Sequence, residues 1–251
     1  MGIKPDKAVY KCFTLMATKQ QGCNNVRNLA YNNNSTLSTI YDKDNNNQQI
    51  NKDSKIGKQN IETFSINQDH PRNANPPIMN NNADLITFHQ NIRGLYNKMD
   101  ELLYFWTTEF PHILCFTEHH PCDHEINSTC IKYYNLGAKY CRKGCKYGRA
   151  SIFIHETLLF STAELKEFCK DQDLEVCAVK LHISSFVLCV LHVYSSPTGN
   201  FAYILSSLGS ILNQLYTNSI NIIICGDTNI NYLDNTNNKF QLDSLLASYD
   251  L

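Results

Sequence analysis

No stretch of this 251-residue sequence is apolar for long. The longest run, FVLCVLHVY at 186–194, is about a strand in length. A membrane-spanning helix needs about 20 apolar residues, so an integral membrane helix is excluded. The first twenty residues, MGIKPDKAVYKCFTLMATKQ, also lack the apolar core of a secretory signal, with Lys and Pro breaking the pattern. The protein is therefore expected to be nuclear or cytoplasmic, not secreted. Charge of one sign is lacking too, since the formal net charge is −1. Bulk charge alone thus gives no argument for a nucleic-acid partner. A second pair with zinc-ligand spacing is missing after CRKGC at 141–145, so a closed structural zinc site is not expected. Of the 11 cysteines, Cys115, Cys189 and Cys225 sit inside apolar runs and read as small buried hydrophobes of a reducing compartment. No internal repeat is visible.

What is present divides the chain. Residues 1–82 hold 17 asparagines, ten Lys/Arg and six Asp/Glu, with sparse and aperiodic apolar residues. Such a composition buries too little to offset its chain entropy, and 1–82 is expected to be a disordered, Asn-rich segment. Residues 83–251 carry twelve Lys/Arg and seventeen Asp/Glu and show regular patterning. LITFHQN, HILCFTEHH, SIFIH and INIIICGD read as strands, and EVCAVKLHI with SFVLCVLHVYSS as a hairpin turning at Ser184 and Ser185. Helical spacing marks 98–110, closed by Pro111, then 200–216 and 239–251. Alternating strands and helices with one inserted hairpin predict a layered α/β domain with a mixed sheet.

Four of these strands end in polar residues. They are Gln90 and Asn91, then Thr117, Glu118 and His119, then His192, Tyr194 and Ser195, and finally Asp227 and Asn229. Ligands of layered α/β folds gather outside strand ends. Two carboxylates, two amides and a tyrosine suit a hard cation, held by few carboxylates together with water and phosphate oxygens. If the backbone after the strand stays extended, Asp227 and Asn229 point to the same side. Asp227 then accepts the proton of an attacking water while Asn229 holds a phosphoryl oxygen. His119, His120 and His124 read as a polar loop, and His89 and His192 as core residues. Lys139, Arg142, Lys143, Lys146 and Arg149, interleaved with Tyr140 and Tyr147, read equally as a DNA-backbone patch or a solvated loop.

FHQNIRGL, PHILCFTEHH, YGRASIFI, VLHVYSSPTGN and IIICGDTNINYL come in one order over 84–251. In that order they resemble the endonuclease/exonuclease/phosphatase superfamily, and within it the apurinic-type endonuclease domain of non-LTR (LINE-like) retrotransposons. The resemblance implies a four-layer α/β sandwich, a Mg2+ (or Mn2+) cofactor, DNA as partner and hydrolysis of a phosphodiester. It further implies Glu118 and Asn91 as the metal residues, and Tyr194, Asp227 and Asn229 as catalytic. Arg93 stands where some relatives place an aspartate and suits phosphate contact, as does Arg149.

One motif of that family is missing. All nine histidines lie at or before His192, so no Ser-Asp-His follows Asp227. The expectation is a domain, 83–251, without its last strands, with an unpaired edge and impaired activity. Two alternatives stand beside it. One is an inactive fragment that at most binds DNA or self-associates. The other is a phosphodiesterase of the same fold acting on a lipid or inositol phosphate.

Overall fold

The computed structural model describes the backbone of 14–19, 26–32 and 36–40, and residues 85–251 apart from 101, 103–109, 144–148, 184–185 and 218–219. The helix expected over 98–110 therefore falls largely outside the described residues. Eleven strands are described: β1 Thr14–Lys19, β2 Val26–Asn32, β3 Thr36–Ile40, β4 Leu85–Asn91, β5 Ile113–Thr117, β6 Tyr134–Tyr140, β7 Ala150–His155, β8 Phe160–Ala163, β9 Leu174–Ile183, β10 Phe186–Ser195 and β11 Ile220–Asp227. The described α-helices are α1 Asp123–Asn127, α2 Phe201–Leu215 and α3 Asn237–Ala247.

The strands form two mixed sheets, one ordered β1-β11-β10-β9-β8 and the other β3-β2-β4-β5-β7-β6. Side chains alternate across each strand, and both faces of the central strands are buried. Ile223 and Cys225 of β11 join Cys177, Val179, Val190, Ile113, Cys115 and Ile152 in the core between the sheets. Ile222 and Ile224 point the other way, against Leu208, Ile211 and Leu212 of α2 and Leu242 and Leu246 of α3. On the far side, Phe88, Leu114, Phe116 and Phe153 pack under Leu95, Leu102 and Ile126. The order is helix layer, sheet, sheet, helix layer. Double burial explains why these strands read as unbroken apolar runs.

The predicted hairpin is β9–β10, antiparallel, with Phe186 opposite Ile183. α2 begins where Asn200 accepts the Tyr203 N–H at 3.1 Å, an N-cap that fixes its first turn. α3 starts after the Thr236 N-cap and ends at Ala247, shorter at its C-terminus than the pattern over 239–251. β6 and β8 had no sequence signal: β6 is only half buried and β8 is four residues long.

Three strands are described within the N-terminal region. β1 runs antiparallel along β11, pairing Thr14 with Asp227, and β2 runs parallel to β4 with β3 beyond it. The other residues of 1–82 lie outside the described residues. The edge of β11 is thus paired in the structure. An edge of unpaired amides and carbonyls is a template for any extended segment, and composition does not reveal which segment fills it.

Candidate active site

β4, β5, β10 and β11 deliver their C-terminal ends to one mouth between the sheets. In β11, Gly226 has φ +148°, and a Cβ there would lie 1.8 Å from the Val193 carbonyl oxygen. Only glycine lets β11 run this close beside β10, and it thereby sets the position of Asp227. Tyr194 sits level with Asp227 across that parallel pairing.

Asn91 ties the two sheets together. Its Nδ2 donates to Glu118 Oε1 at 3.0 Å and to Asp227 Oδ2 at 2.9 Å. Only the NH2 end of an amide can face two carboxylates, so the orientation of Asn91 is fixed by chemistry. Its Oδ1 is buried and has no hydrogen-bond partner among the described residues. Glu118 Oε1 also accepts the Tyr194 hydroxyl at 3.2 Å, and Oε2 lies 3.8 Å from Arg93 Nε. Burial, then the charge of Glu118, push the Tyr194 phenol well above its ordinary value. It therefore stays a proton donor at neutral pH.

Asn229 is not placed as an extended backbone would place it. β11 ends at Asp227, and Asn229 has φ +52°. Its N–H donates to Asp227 Oδ1 at 3.0 Å, the two-residue step of an Asx turn. Its side-chain amide donates to the Ser195 carbonyl at 2.6 Å. Asn229 thus straps the end of β10 to the end of β11 and holds the Asp227 carboxylate through its backbone. Ser195 Oγ donates to the Thr228 carbonyl and closes the same strap.

Arg149, 5% exposed, accepts the Glu118 N–H on its carbonyl at 3.0 Å. Four of the seven predicted residues have positive φ: Arg93 (+45°), Glu118 (+52°), Arg149 (+85°) and Asn229 (+52°). Such conformations are uncommon outside glycine and cost on the order of 1–3 kcal/mol each, and they cluster at functional sites. Here they surround one pair of carboxylates.

Sequence reasoning missed Glu175. It is 1% exposed, opposite Tyr194 in the hairpin, and accepts both Arg142 Nε and the Arg149 N–H. Burial raises its carboxyl above the ordinary range, and Arg142 opposes that rise. Arg142 in turn lies over the Tyr194 ring, 5.9 Å from its centre. Counting outward from the Ser184–Ser185 turn would have put Glu175 beside Tyr194; nothing in the sequence signalled the ion pair. The basic patch is partly committed elsewhere. Lys139 pairs with Asp123 at 2.9 Å and Asn127 at 2.6 Å, and Arg142 with Glu175. Lys146 and Tyr147 lie outside the described residues.

His89 and His192 meet edge to face in the core, 5.3 Å between ring centres. Burial lowers His89 to about 3 and His192 well below its ordinary value, so both are neutral. They are core residues, as expected. Among the described residues no helix is long and apolar enough to cross a membrane.

No protein-family model matches the sequence, and no curated protein matches it significantly. Solved structures do. The endonuclease domain of TRAS1, a telomere-specific non-LTR retrotransposon, superposes with a TM-score of 0.52 at 12% identity, over 65% of this chain and 71% of that one. An AP endonuclease, LMAP from Leishmania major, aligns at 0.46 and 16% identity over 64% and 63%. D. rerio TDP2 complexed with single strand DNA product aligns at 0.46 and 12% identity over 62% and 62%. The chain spans less than two thirds of the latter two proteins. With two mixed sheets face to face between helices, and strand ends converging on one mouth, the chain has the fold of the endonuclease/exonuclease/phosphatase superfamily, shared with the TRAS1 endonuclease domain.

Proposed function

We propose that the protein hydrolyses phosphodiester bonds with the help of a divalent cation, Mg2+ or Mn2+, and that its substrate is DNA. The observation that carries this reading is Asn91, which holds one carboxylate from each sheet at 3.0 and 2.9 Å. Two buried or half-buried carboxylates held this close repel one another unless a donor or a cation lies between them.

The residues fit the cation. Glu118 and Asp227 are hard oxygen donors, and the buried Oδ1 of Asn91, without a partner among the described residues, is an atom that a hard cation or its water satisfies. Glu118 and Asn91 would hold it, and when bound it would neutralise charge on the phosphate oxygens. Asp227, held at both oxygens by Asn91 and the Asn229 N–H, is oriented to accept a proton from water as that water attacks phosphorus. The bond from phosphorus to the leaving oxygen breaks, and that oxygen takes a proton from solvent. Tyr194, kept protonated, donates toward the same region. Arg93, with its side chain 54% exposed, offers positive charge at the rim, and buried Arg149 supports Glu118 through its carbonyl. DNA as the substrate rests on the five ordered motifs and the fold shared with a retrotransposon endonuclease domain.

The test is nicking of supercoiled plasmid by the purified chain. The expected result is cleavage that needs Mg2+ or Mn2+, stops with chelator, and is lost in Glu118→Ala and Asp227→Asn. Cleavage indifferent to both substitutions overturns the assignment of the site. Salt-dependent DNA binding without cleavage at any metal concentration overturns the catalytic reading in favour of a binding role.

A further inference from the structure

Four residues beyond Glu118, three chemically different donors lie side by side. The donor atoms of Cys122, His124 and Glu125 all fall within 4.8 Å of one another. Cys122 Sγ is 3.1 Å from His124 Nδ1. Tetrahedral zinc, with Zn–S of about 2.3 Å and Zn–N of about 2.0–2.1 Å, separates such a sulfur and nitrogen by roughly 3.5 Å. A shift of a few tenths of an ångström therefore opens the pair to an ion.

The local fold brings the third donor in. Cys122 precedes α1 in extended conformation, and the Glu125 side chain folds back so that Oε2 accepts the Cys122 N–H at 2.6 Å. That bond parks the carboxylate beside the sulfur. Asp123, between the donors in sequence, is turned away to Lys139 at 2.9 Å, and Lys139 also holds the Asp123 carbonyl at 3.0 Å. The turn carrying the donors is thereby anchored to β6. Cys122 is half-buried, and His124 and Glu125 are exposed, so an ion can enter from solvent.

We propose that Cys122, His124 and Glu125 form a binding site for a zinc-class transition-metal ion, with a fourth position left to water. All three donors are side chains, and none belongs to the Asn91–Glu118–Asp227 centre. Thiolate and imidazole select zinc, cobalt or copper over magnesium, so the two centres discriminate by donor type. From the sequence His124 reads as part of a polar loop; in the structure Cys122 and Glu125 lie beside it. As the metal–sulfur bond forms, the thiol proton leaves to buffer, so affinity falls as pH falls. Ion binding would stiffen the turn that follows the strand end bearing Glu118.

The experiment is titration of the full chain with Co2+ as a spectroscopic probe, followed by displacement with Zn2+. The expected result is one equivalent that produces a sulfur-to-cobalt charge-transfer band. Cys122→Ser should abolish the band. His124→Ala should weaken binding at least about tenfold, the loss found when even an outer partner of a metal ligand is removed. Glu118→Ala should leave the band intact, which separates this site from the proposed catalytic centre. Absence of the band at micromolar protein, or a band that survives both Cys122→Ser and His124→Ala, overturns the proposal. If Cys122→Ser does not fold, as judged by circular dichroism, His124→Ala alone decides the matter by the same band.

Discussion

Asn91 does at one position what two acidic strand ends cannot do for themselves. Its NH2 group donates to Glu118 and to Asp227. Asn91→Asp has nearly the same shape but no donor, and would put a third negative charge between the other two. Asn91→Asp should therefore lower nicking by at least the factor of about 10² to 10³ found when one positioned hydrogen-bond donor is removed from an active site. The comparison that checks this is Asn91→Ala. If positioning by the amide matters, both variants fall; if only bulk matters, Asp is tolerated and Ala is not. Tyr194→Phe keeps the ring under Arg142 and loses only the bond to Glu118 at 3.2 Å. Its cost should be smaller than that of Asn91→Asp and should appear in kcat more than in KM. Asn91, Glu118, Tyr194 and Asp227 were legible because each stands at or next to the end of an apolar run, where a polar side chain has no packing reason to be. Asn229 was legible as a residue but not in its orientation. Its orientation depends on φ +52°, and the choice between an extended step and an Asx turn is not written in the letters TN. Glu175 was hidden for the opposite reason. It opens an apolar strand, where a charged residue usually marks a solvated end, and here it is buried against Arg142.

At the scale of elements, the pairing of β10 with β11 carries the site, and Gly226 permits it. The missing Cβ of Gly226 is what allows the approach to Val193. Gly226→Ala would drive a methyl group into backbone that cannot move without breaking the parallel ladder. It should cost at least about 2 kcal/mol, and it should abolish nicking even where the protein is still folded, because Asp227 is the next residue. Denaturant titration and plasmid nicking on one preparation read both effects. Glu175 holds β9 to the segment that leads into β7. Its ion pair with Arg142 has side-chain exposures of 1% and 7%, so removing one partner leaves the other charge buried. Glu175→Gln should destabilise by about 3–5 kcal/mol, and Glu175→Gln combined with Arg142→Met should recover part of that loss, a coupling that a double-mutant cycle measures directly. The strands β4, β5, β7, β10 and β11 were legible from their apolar runs. The strands β6 and β8 were not, because a half-buried strand and a four-residue edge strand leave no distinct pattern.

The whole molecule stores neutral histidines in its cores, and that sets its response to acid. His89 and His119 are lowered by burial to about 3, and His192 lies well below its ordinary value. In the unfolded chain each titrates near the ordinary 6.5. Between pH 6.5 and about 3 the unfolded state therefore binds protons that the folded state refuses. Stability is fully present above 6.5 and falls as pH drops through that window, by up to about 1.4 kcal/mol per pH unit for each histidine. The raised carboxyl of Glu175 has the opposite slope, but it is one group against three. Three such losses over two pH units come to at most about 8 kcal/mol, a large part of the about 5–15 kcal/mol that holds a domain folded. The protein should therefore be much less stable at pH 4.5 than at pH 7. Denaturant midpoints at pH 7, 6, 5 and 4.5 check the slope, and a flat profile would show that the histidines are not buried as described. Substituting one member of the stacked pair separates this cause from general acid titration. His192→Leu, with no group to protonate, should flatten the slope by about one histidine's share while leaving the carboxylate-driven loss at lower pH unchanged. The pH at which half the chains unfold should therefore move down, even if His192→Leu is no more stable than the parent at pH 7.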